Sequence, residues 1–284
     1  MSFYKNIQFQ QLINLLLLIY ISYTNNTLQT NPFIVLLLIV FAGATELILK
    51  KDSYIPYSAF ITAIGVVLMV GWTKWYIPFI IIFLAIFQKL YLKIDGKHIF
   101  NPSNFALIVA IFIFYPKALP IVGALGTKGY ILYLVLIIGT FVLIRANRYL
   151  ITLSFLLIYL FLNYTIVAKI DPNWNIEHFI SSIYSISFIV YIFFMLTDPI
   201  TTPNNAIGQL IFGSLVAFLI VTLNYILGYR VWNIFISLFI ASLLFAISKS
   251  VVKKDFSLLL IIVIIFSITI TCKISTLKPL YFSM

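Results

Sequence analysis

The sequence predicts an all-α polytopic membrane protein in which residues 1–284 form a single transmembrane domain of about ten or eleven helices. Apolar residues make up 63% of the chain, charged residues make up 9%, and the mean hydropathy is +1.13. A soluble domain carries about 25% charged residues, so this composition requires lipid as the solvent. The longest apolar runs lack the alternation of a β-barrel strand, and we therefore predict that the spans are helices.

Eleven apolar segments follow one another along the chain, separated by short polar connections. A spanning helix needs roughly 20 apolar residues, and the segments 11–23, 57–72 and 102–115 are short, as broken or re-entrant helices are. The connections are too short to fold into a nucleotide-binding or catalytic domain. The predicted segments are residues 11–23, 33–49, 57–72, 76–92, 102–115, 129–145, 149–167, 178–196, 206–227, 229–248 and 256–274.

The basic residues predict the orientation of these helices. With a cytoplasmic N-terminus, eleven lysines and arginines fall in cytoplasmic connections and seven fall outside. The positive-inside rule favours this arrangement. We therefore interpret the net charge of +11 as a topology signal in contact with membrane lipid, and we predict no nucleic-acid partner.

The first polar island, residues 96–105, leads directly into an apolar run. Asn101 is a good helix N-cap, Pro102 suits the first helical position, and Ser103 and Asn104 can bond to neighbouring backbone. A well-formed helix start explains these residues. The same free donors at a helix N-terminus can also receive an anionic or carbonyl-bearing ligand, and both interpretations stay open at this point.

The second polar island, residues 193–205, closes one apolar run and opens the next. Its two prolines stop the helix, and a tight turn explains most of its hydroxyl and amide side chains. A turn explains Asp198 poorly, because a carboxylate at the end of a long apolar run is costly unless it is paired or hydrated. The island's candidate residues are Thr197, Asp198, Pro199, Thr201 and Thr202.

Glu46 is the other acidic residue inside an apolar run, and it is a candidate for ion or proton handling together with Asp198. The alternative is a simple ion pair with Lys50 one helical turn later. Few other residues indicate chemistry. His98 and His178 lie in predicted loops, which excludes a pair of intramembrane haem ligands, and the single cysteine supplies no metal cluster.

The motifs and their order resemble the NqrB/RnfD family of membrane subunits. The resemblance extends over approximately residues 35–250 and leaves the segment 256–274 as an additional C-terminal span. The sequences of its motifs are most similar to those of a small stand-alone, UnbU-like branch of the family, which lacks the long FMN-attachment loop. The segments that carry it are Ala44-Thr-Glu-Leu-Ile-Leu-Lys50, Phe100-Asn-Pro-Ser103, Phe193-Phe-Met-Leu-Thr-Asp-Pro199 and Gly208-Gln-Leu-Ile-Phe-Gly213.

The resemblance implies a fold and a function. The fold is two five-helix repeats, similar to urea and ammonium channels. The function is that of a membrane subunit of an Rnf/Nqr-type electron transport system in the bacterial inner membrane, which passes electrons through flavin with coupled movement of Na⁺ or H⁺. Such a subunit works with other membrane subunits of the complex rather than as a stand-alone enzyme.

One departure from the family concerns its cofactor. Family members carry FMN on a threonine in a long loop, whereas the corresponding interval here is only residues 115–129, and Leu-Gly-Thr127-Lys is not the attachment sequence. We therefore expect FMN or riboflavin to bind noncovalently between the two polar islands. The predicted flavin-binding residues are Asn101, Pro102, Ser103, Asn104, Thr197, Asp198, Pro199, Thr201 and Thr202.

Two alternatives to this function remain open at the level of sequence. The channel-like fold and the short interval are both compatible with a non-redox transporter or channel for a small solute that uses the same islands. A structural subunit whose partners hold all the cofactors is the third interpretation.

Overall fold

A computed structural model describes residues 3–121, 129–168, 175–183, 188, 190–228 and 230–253. Within these ranges the chain forms ten α-helices and four short strands. The helices are α1 (Phe3–Thr24), α2 (Pro32–Lys50), α3 (Tyr57–Met69), α4 (Ile77–Tyr91), α5 (Pro102–Phe114), α6 (Gly129–Ala146), α7 (Tyr149–Leu162), α8 (Ile176–Ile183), α9 (Ala206–Leu227) and α10 (Trp232–Lys253). The π-helical segment Asn163–Val167 continues α7, and a second one, Tyr191–Met195, follows α8. The strands are β1 (Val70–Trp72), β2 (Lys93–Ile94), β3 (Lys97–His98) and β4 (Ala118–Pro120).

Helices with the length and surface of membrane spans, accompanied by shorter apolar helices, confirm the predicted all-α membrane fold. In the described part of the chain, three helical stretches are long and apolar enough to cross a bilayer: Pro32–Lys50, Tyr149–Ile166 and Ala206–Leu227. Large apolar side chains on their outer faces are open to the surroundings, with Phe33 71% and Ile207 70% exposed. Such surfaces are stable in lipid, where apolar side chains need no burial against protein.

Most of the predicted segments agree with the helices, but the prediction of a short first segment at residues 11–23 is wrong, because α1 begins at Phe3 and has 22 residues. Helix α3 ends at Met69, so the prediction of a helix through Trp72 is wrong. Residues 70–72 instead pair antiparallel with residues 118–120, because both segments follow short helices and meet at the same end of the bundle. The predicted span 256–274 and part of the predicted span 178–196 lie outside the described residues.

Three of the contacts between helices recur in the two halves of the chain. In the first half α1 packs on α3, α2 on α4, and α4 on α5. In the second half α6 packs on the segment Tyr191–Met195, α7 on α9, and α9 on α10. The first helix thus meets the third, the second meets the fourth, and the fourth meets the fifth in each half. Two five-helix repeats would produce these shared contacts and stay a prediction.

The two halves join along α5 and α10. The ring of Phe100 stacks on that of Phe239 with centroids 4.2 Å apart and planes 5° apart. The side-chain amide of Asn104 in α5 donates to the carbonyl of Phe235 in α10 at 3.2 Å. Stacked aromatic rings bury large apolar areas in a fixed geometry. The joint therefore holds the start of α5, and with it the first polar island, against the second half of the molecule.

Close packing of α7 against α9 depends on Gly213. A Cβ at this position would overlap the backbone carbonyl of Ile151 and the hydroxyl of Ser154. We expect Gly213→Ala to force the two helices apart and to lower stability by about 1–3 kcal/mol, as overpacking does. Thermal unfolding of the detergent-solubilised protein measures the effect. Ile211→Ala, at a 62% exposed position of the same helix, is the control and should change the melting temperature little. Equal melting temperatures for the two variants would contradict the predicted helix contact.

Candidate functional site

The two polar islands meet in the folded protein. The side-chain amide of Asn101 donates from Nδ2 to Oδ2 of Asp198 at 2.9 Å, although the two residues are 97 positions apart. Oδ1 of the same side chain accepts from the backbone N–H of Asn104 at 3.1 Å. Asn101 is therefore the N-cap of α5, as predicted, and at the same time the contact that joins the first island to the second.

Asp198 is held on all sides by polar groups. Its Oδ1 accepts from the backbone N–H of Ile200 at 3.0 Å, and its carbonyl accepts from the hydroxyl of Thr202 at 2.6 Å. The imidazole Nε2 of His98 lies 3.7 Å from Oδ2, and the side chain of Asp198 is only 13% exposed. The cost of placing this carboxylate at the end of an apolar run is thus offset by specific partners.

These partners also set the charge of Asp198, which lies in the turn between two helices. Burial by itself raises the pKa of this carboxyl. The imidazole of His98 and the hydrogen bonds from Ile200 and Asn101 outweigh burial and hold the pKa of Asp198 below its usual value. The group is therefore an anion at neutral pH.

A tight hairpin positions His98. Strands β2 and β3 pair antiparallel around Asp95 and Gly96, which both have positive φ angles of 55° and 73°. This is the two-residue turn that Asp-Gly favours. The prediction of His98 as a loop residue is wrong, because the hairpin places it in β3 with 8% exposure. The Asp-Gly pair between Ile94 and Lys97 is the sequence signal that indicates this hairpin.

Arg148 stabilises the second island through hydrogen bonds. It is 6% exposed at the N-cap of α7, and its Nε donates to the hydroxyl of Thr202 at 3.0 Å. Its Nη2 donates to the carbonyl of Pro199 at 3.2 Å and to Oδ1 of Asn204. The planar fork of a guanidinium can serve several acceptors at once. Sequence reasoning treated Arg148 only as a topology charge, since a single arginine between apolar runs carries no sign of its distant partners.

Glu46 lies in a second buried cluster of charges. The predicted pair with Lys50 is present at 3.3 Å, but the main partner is Lys89 of α4, whose Nζ lies 2.5 Å from Oε2 of Glu46. The carboxylate of Glu46 is 1% exposed and the side chain of Lys89 is 7% exposed. The hydroxyl of Tyr54 also donates to Glu46. Tyr54 lies in the connection after α2. Burial and the bond to Glu46 raise the pKa of its hydroxyl well above the usual value.

A small cavity lies between the islands, and we call it the inner cavity. Its volume is about 80 Å³, and the predicted residues Asn101, Pro102, Ser103, Asp198 and Pro199 line it. The rest of its wall includes the amide and hydroxyl side chains Gln8, Gln11, Ser58 and Thr62.

Other predicted site residues bond elsewhere. Asn104 donates to the carbonyl of Phe235 at 3.2 Å, and the hydroxyl of Thr197 donates to the carbonyl of Phe193 at 2.8 Å. Thr201 contacts the carbonyl of Asp198. These residues therefore support the backbone of the islands rather than the wall of the inner cavity.

A larger space adjoins the inner cavity, and we call it the outer opening. Its volume is about 630 Å³. Gln8, Ser58, His98 and Ile200 line both spaces, so the two meet at these residues. The carboxylate, ammonium and phenolic side chains of its wall are Glu46, Lys50, Tyr54, Tyr57, Lys89 and Lys93. The described residues contain no cluster of three metal-binding side chains, and Thr127 lies outside them.

Comparison with known proteins supports the resemblance in the second half of the chain. Residues 120–257 match the model of the NQR2, RnfD, RnfE family, which is slightly less than half of the 284 residues. The match supports a relationship to this family in the broad sense, and it includes Arg148 and the whole second island. No curated protein matches the chain. The first island lies outside the matched range and enters the site through its contact with Asp198.

The buried pair of Glu46 and Lys89 gives a test of the second cluster. Lys89→Met removes the main partner of a buried carboxylate, and we expect it to lower stability by about 3–5 kcal/mol. Adding Glu46→Gln to this variant should recover a large part of the loss, because no uncompensated charge then remains. Thermal unfolding in detergent measures both.

Lys50→Met serves as the matched control, since the side chain of Lys50 is 37% exposed and its pair with Glu46 is weaker. A loss in Lys50→Met as large as in Lys89→Met would contradict the ranking of the two partners.

Proposed function

We propose that the protein is a membrane subunit of an Rnf/Nqr-type electron transport system, which passes electrons through flavin with coupled movement of Na⁺ or H⁺. The observation that carries the proposal is the meeting of the two islands at Asp198, a residue that lies in the part of the chain that the family model matches. Two segments that read as separate turns in the sequence form one polar site inside an otherwise apolar bundle.

Asp198 is the first candidate for ion or proton handling. It supplies a carboxylate to the wall of the inner cavity, whose volume of about 80 Å³ suits a small cation or a few water molecules. The amide and hydroxyl oxygens of the same wall are ligands that Na⁺ and H₃O⁺ accept. Glu46 is the second candidate, although Lys89, Lys50 and Tyr54 already compensate its charge.

The inner cavity is too small for a flavin. Sites for cofactor-sized molecules measure about 300–1,000 Å³, and only the outer opening lies in this range among the two spaces at the islands. We therefore place a noncovalent flavin in the outer opening, next to the islands rather than between them. His98 and Ile200 would lie at the boundary between the flavin and the inner cavity.

The residues around the outer opening suit such a ligand. Lys50 and Lys93 would face its negative groups, and Ser53 and Ser58 would offer hydroxyls to its polar edge. A bound flavin supplies one- and two-electron redox chemistry. The contribution of the chain is to bind and orient it and to keep Asp198 charged beside the adjoining cavity.

Location and partners follow from the same proposal. In the bacterial inner membrane with a cytoplasmic N-terminus, the ends of α2, α4 and α6 and the second island would face the cytoplasm. The outer opening would then face the cytoplasmic side, where partner subunits of the complex would deliver electrons.

A non-redox transporter for a small solute is the second candidate function. The inner cavity favours it, because most of its polar wall consists of neutral amides and hydroxyls that suit a small uncharged molecule. Uptake of labelled small solutes into liposomes that contain the purified chain would support this function, provided that the protein binds no flavin.

The absorbance and fluorescence spectrum of the detergent-purified chain tests the proposed flavin. We expect a flavin spectrum, either as purified or after incubation with FMN or riboflavin, and release of the flavin into the supernatant on acid precipitation. Flavin that stays with the precipitate would contradict noncovalent binding. A colourless protein that takes up neither flavin would contradict the redox role of the chain.

Binding of Na⁺ tests Asp198. We expect NaCl to raise the melting temperature of the chain more than choline chloride at equal ionic strength, because a ligand that binds the native state stabilises it. Asp198→Asn should remove this difference. Asp52→Asn, which changes an exposed carboxylate in the connection after α2, is the matched control and should retain it. A Na⁺ effect that persists in Asp198→Asn would exclude this residue as the ligand.

A further inference from the structure

We propose that the outer opening is a phosphate-recognition site, in which Lys50, Lys93 and His98 bind the phosphate group of an organic ligand. The inference rests on the proposed flavin site and extends it, since it predicts selection of FMN over riboflavin. The shared chemistry is a phosphate group, which FMN and an anionic lipid headgroup both carry.

The balance of charges in the outer opening is the first argument. Three lysines and one carboxylate line it among the described residues. Lys89 and Glu46 lie 2.5 Å apart and cancel each other's charge. Lys50 and Lys93 therefore leave the wall with two positive charges that no acidic residue of the described wall offsets. An anion is the ligand that such a wall attracts.

The donors of these lysines are available to a ligand. Lys50 has three ammonium protons, contacts one oxygen of Glu46 at 3.3 Å, and lies over the ring of Tyr54 at 4.5 Å from its centroid. This cation–π contact orients the ammonium group and leaves N–H donors available to a ligand in the opening. Lys93 is exposed at the start of the β2–β3 hairpin and lines the same opening.

His98 supplies a second, independent argument. Its side chain is 8% exposed and lines the outer opening. Its Nε2 lies 3.7 Å from Oδ2 of Asp198, beyond hydrogen-bond distance, and has no hydrogen-bond partner among the described residues. A buried nitrogen without a partner costs free energy unless a ligand or water satisfies it. A phosphate oxygen in the opening would supply that partner, because an imidazole N–H can donate to it.

The size of the opening argues for an organic phosphate. Inorganic phosphate would occupy a small part of about 630 Å³, whereas this volume is within the range of cofactor sites. Its wall also carries apolar contact surface from Ile55, Leu90 and Ile200. A ligand with a ring system and one phosphate group matches both features.

Fluorescence titration of the full-length chain in detergent with FMN and with riboflavin tests the inference. We expect FMN to bind about tenfold more tightly than riboflavin. Inorganic phosphate should compete with the binding of FMN and not with that of riboflavin. Raising the salt concentration should weaken FMN binding and leave riboflavin binding nearly unchanged, because only the phosphate is charged. Lys93→Gln and Lys50→Gln should each reduce the affinity for FMN towards that for riboflavin.

Lys97→Gln is the matched control, since Lys97 lies on the same hairpin and does not line the opening. It should keep the preference for FMN. The same titration in nanodiscs of neutral lipid and of phosphatidylglycerol separates the two sources of phosphate. A preference for FMN that is lost only in phosphatidylglycerol would identify the lipid headgroup as a second occupant of the same site.

The outcomes separate this inference from the proposed function. Equal binding of FMN and riboflavin, unaffected by Lys93→Gln, would overturn the phosphate site and leave the flavin role standing. The protein could instead bind inorganic phosphate or phosphatidylglycerol through Lys50 and Lys93 and bind neither FMN nor riboflavin. That result would support the phosphate site and overturn the flavin role. Absence of binding by FMN, inorganic phosphate and phosphatidylglycerol would overturn the inference.

Discussion

The hydrogen bond between Asn101 and Asp198 is the constraint on which the rest of the site depends. It joins the start of α5 in the first half of the chain to the turn before α9 in the second half, across 97 residues. Asn101 uses its other side-chain atom to cap α5, so the position of the helix and the position of the carboxylate are set by one residue. Asp198 in turn organises its own turn through Ile200 and Thr202. A buried polar network of this kind is stable only when its members are satisfied together.

Charge is distributed differently in the two clusters that flank the cavities. Glu46 is surrounded by Lys89, Lys50 and Tyr54, and its charge is fully compensated inside the bundle. Asp198 has amide partners and a histidine at 3.7 Å, and it keeps contact with the inner cavity. The first arrangement stabilises a pair of helices, while the second leaves a carboxylate beside a polar space. This difference makes Asp198 the better placed of the two for a mobile ion.

The sequence predicted most of the fold and part of the site, for identifiable reasons. Hydropathy locates helices directly, so each predicted span up to residue 248 contains a helix in the described parts of the chain, although residues 70–72 form a strand and α1 begins before its predicted span. Local rules also identify the cap at Asn101 and the pair of Glu46 with Lys50, because both involve residues within one helical turn. The roles of Lys89, Arg148 and His98 were missed. Each role depends on a partner on another helix or hairpin. The sequence alone does not give the distances between side chains of different elements, so it cannot show these contacts.

The sequence by itself determined that this chain dissolves in lipid, where its helices begin and which polar segments interrupt them. These properties follow from composition and from contacts between near neighbours in the chain. Only the tertiary structure decided which polar groups meet, since a buried charge is stable beside any suitable partner that packing brings within about 4 Å. Packing of α5 on α10 and of α2 on α4 determined these partners. It also formed a small cavity at Asp198 and, beside it, a larger opening at Lys50 and Lys93.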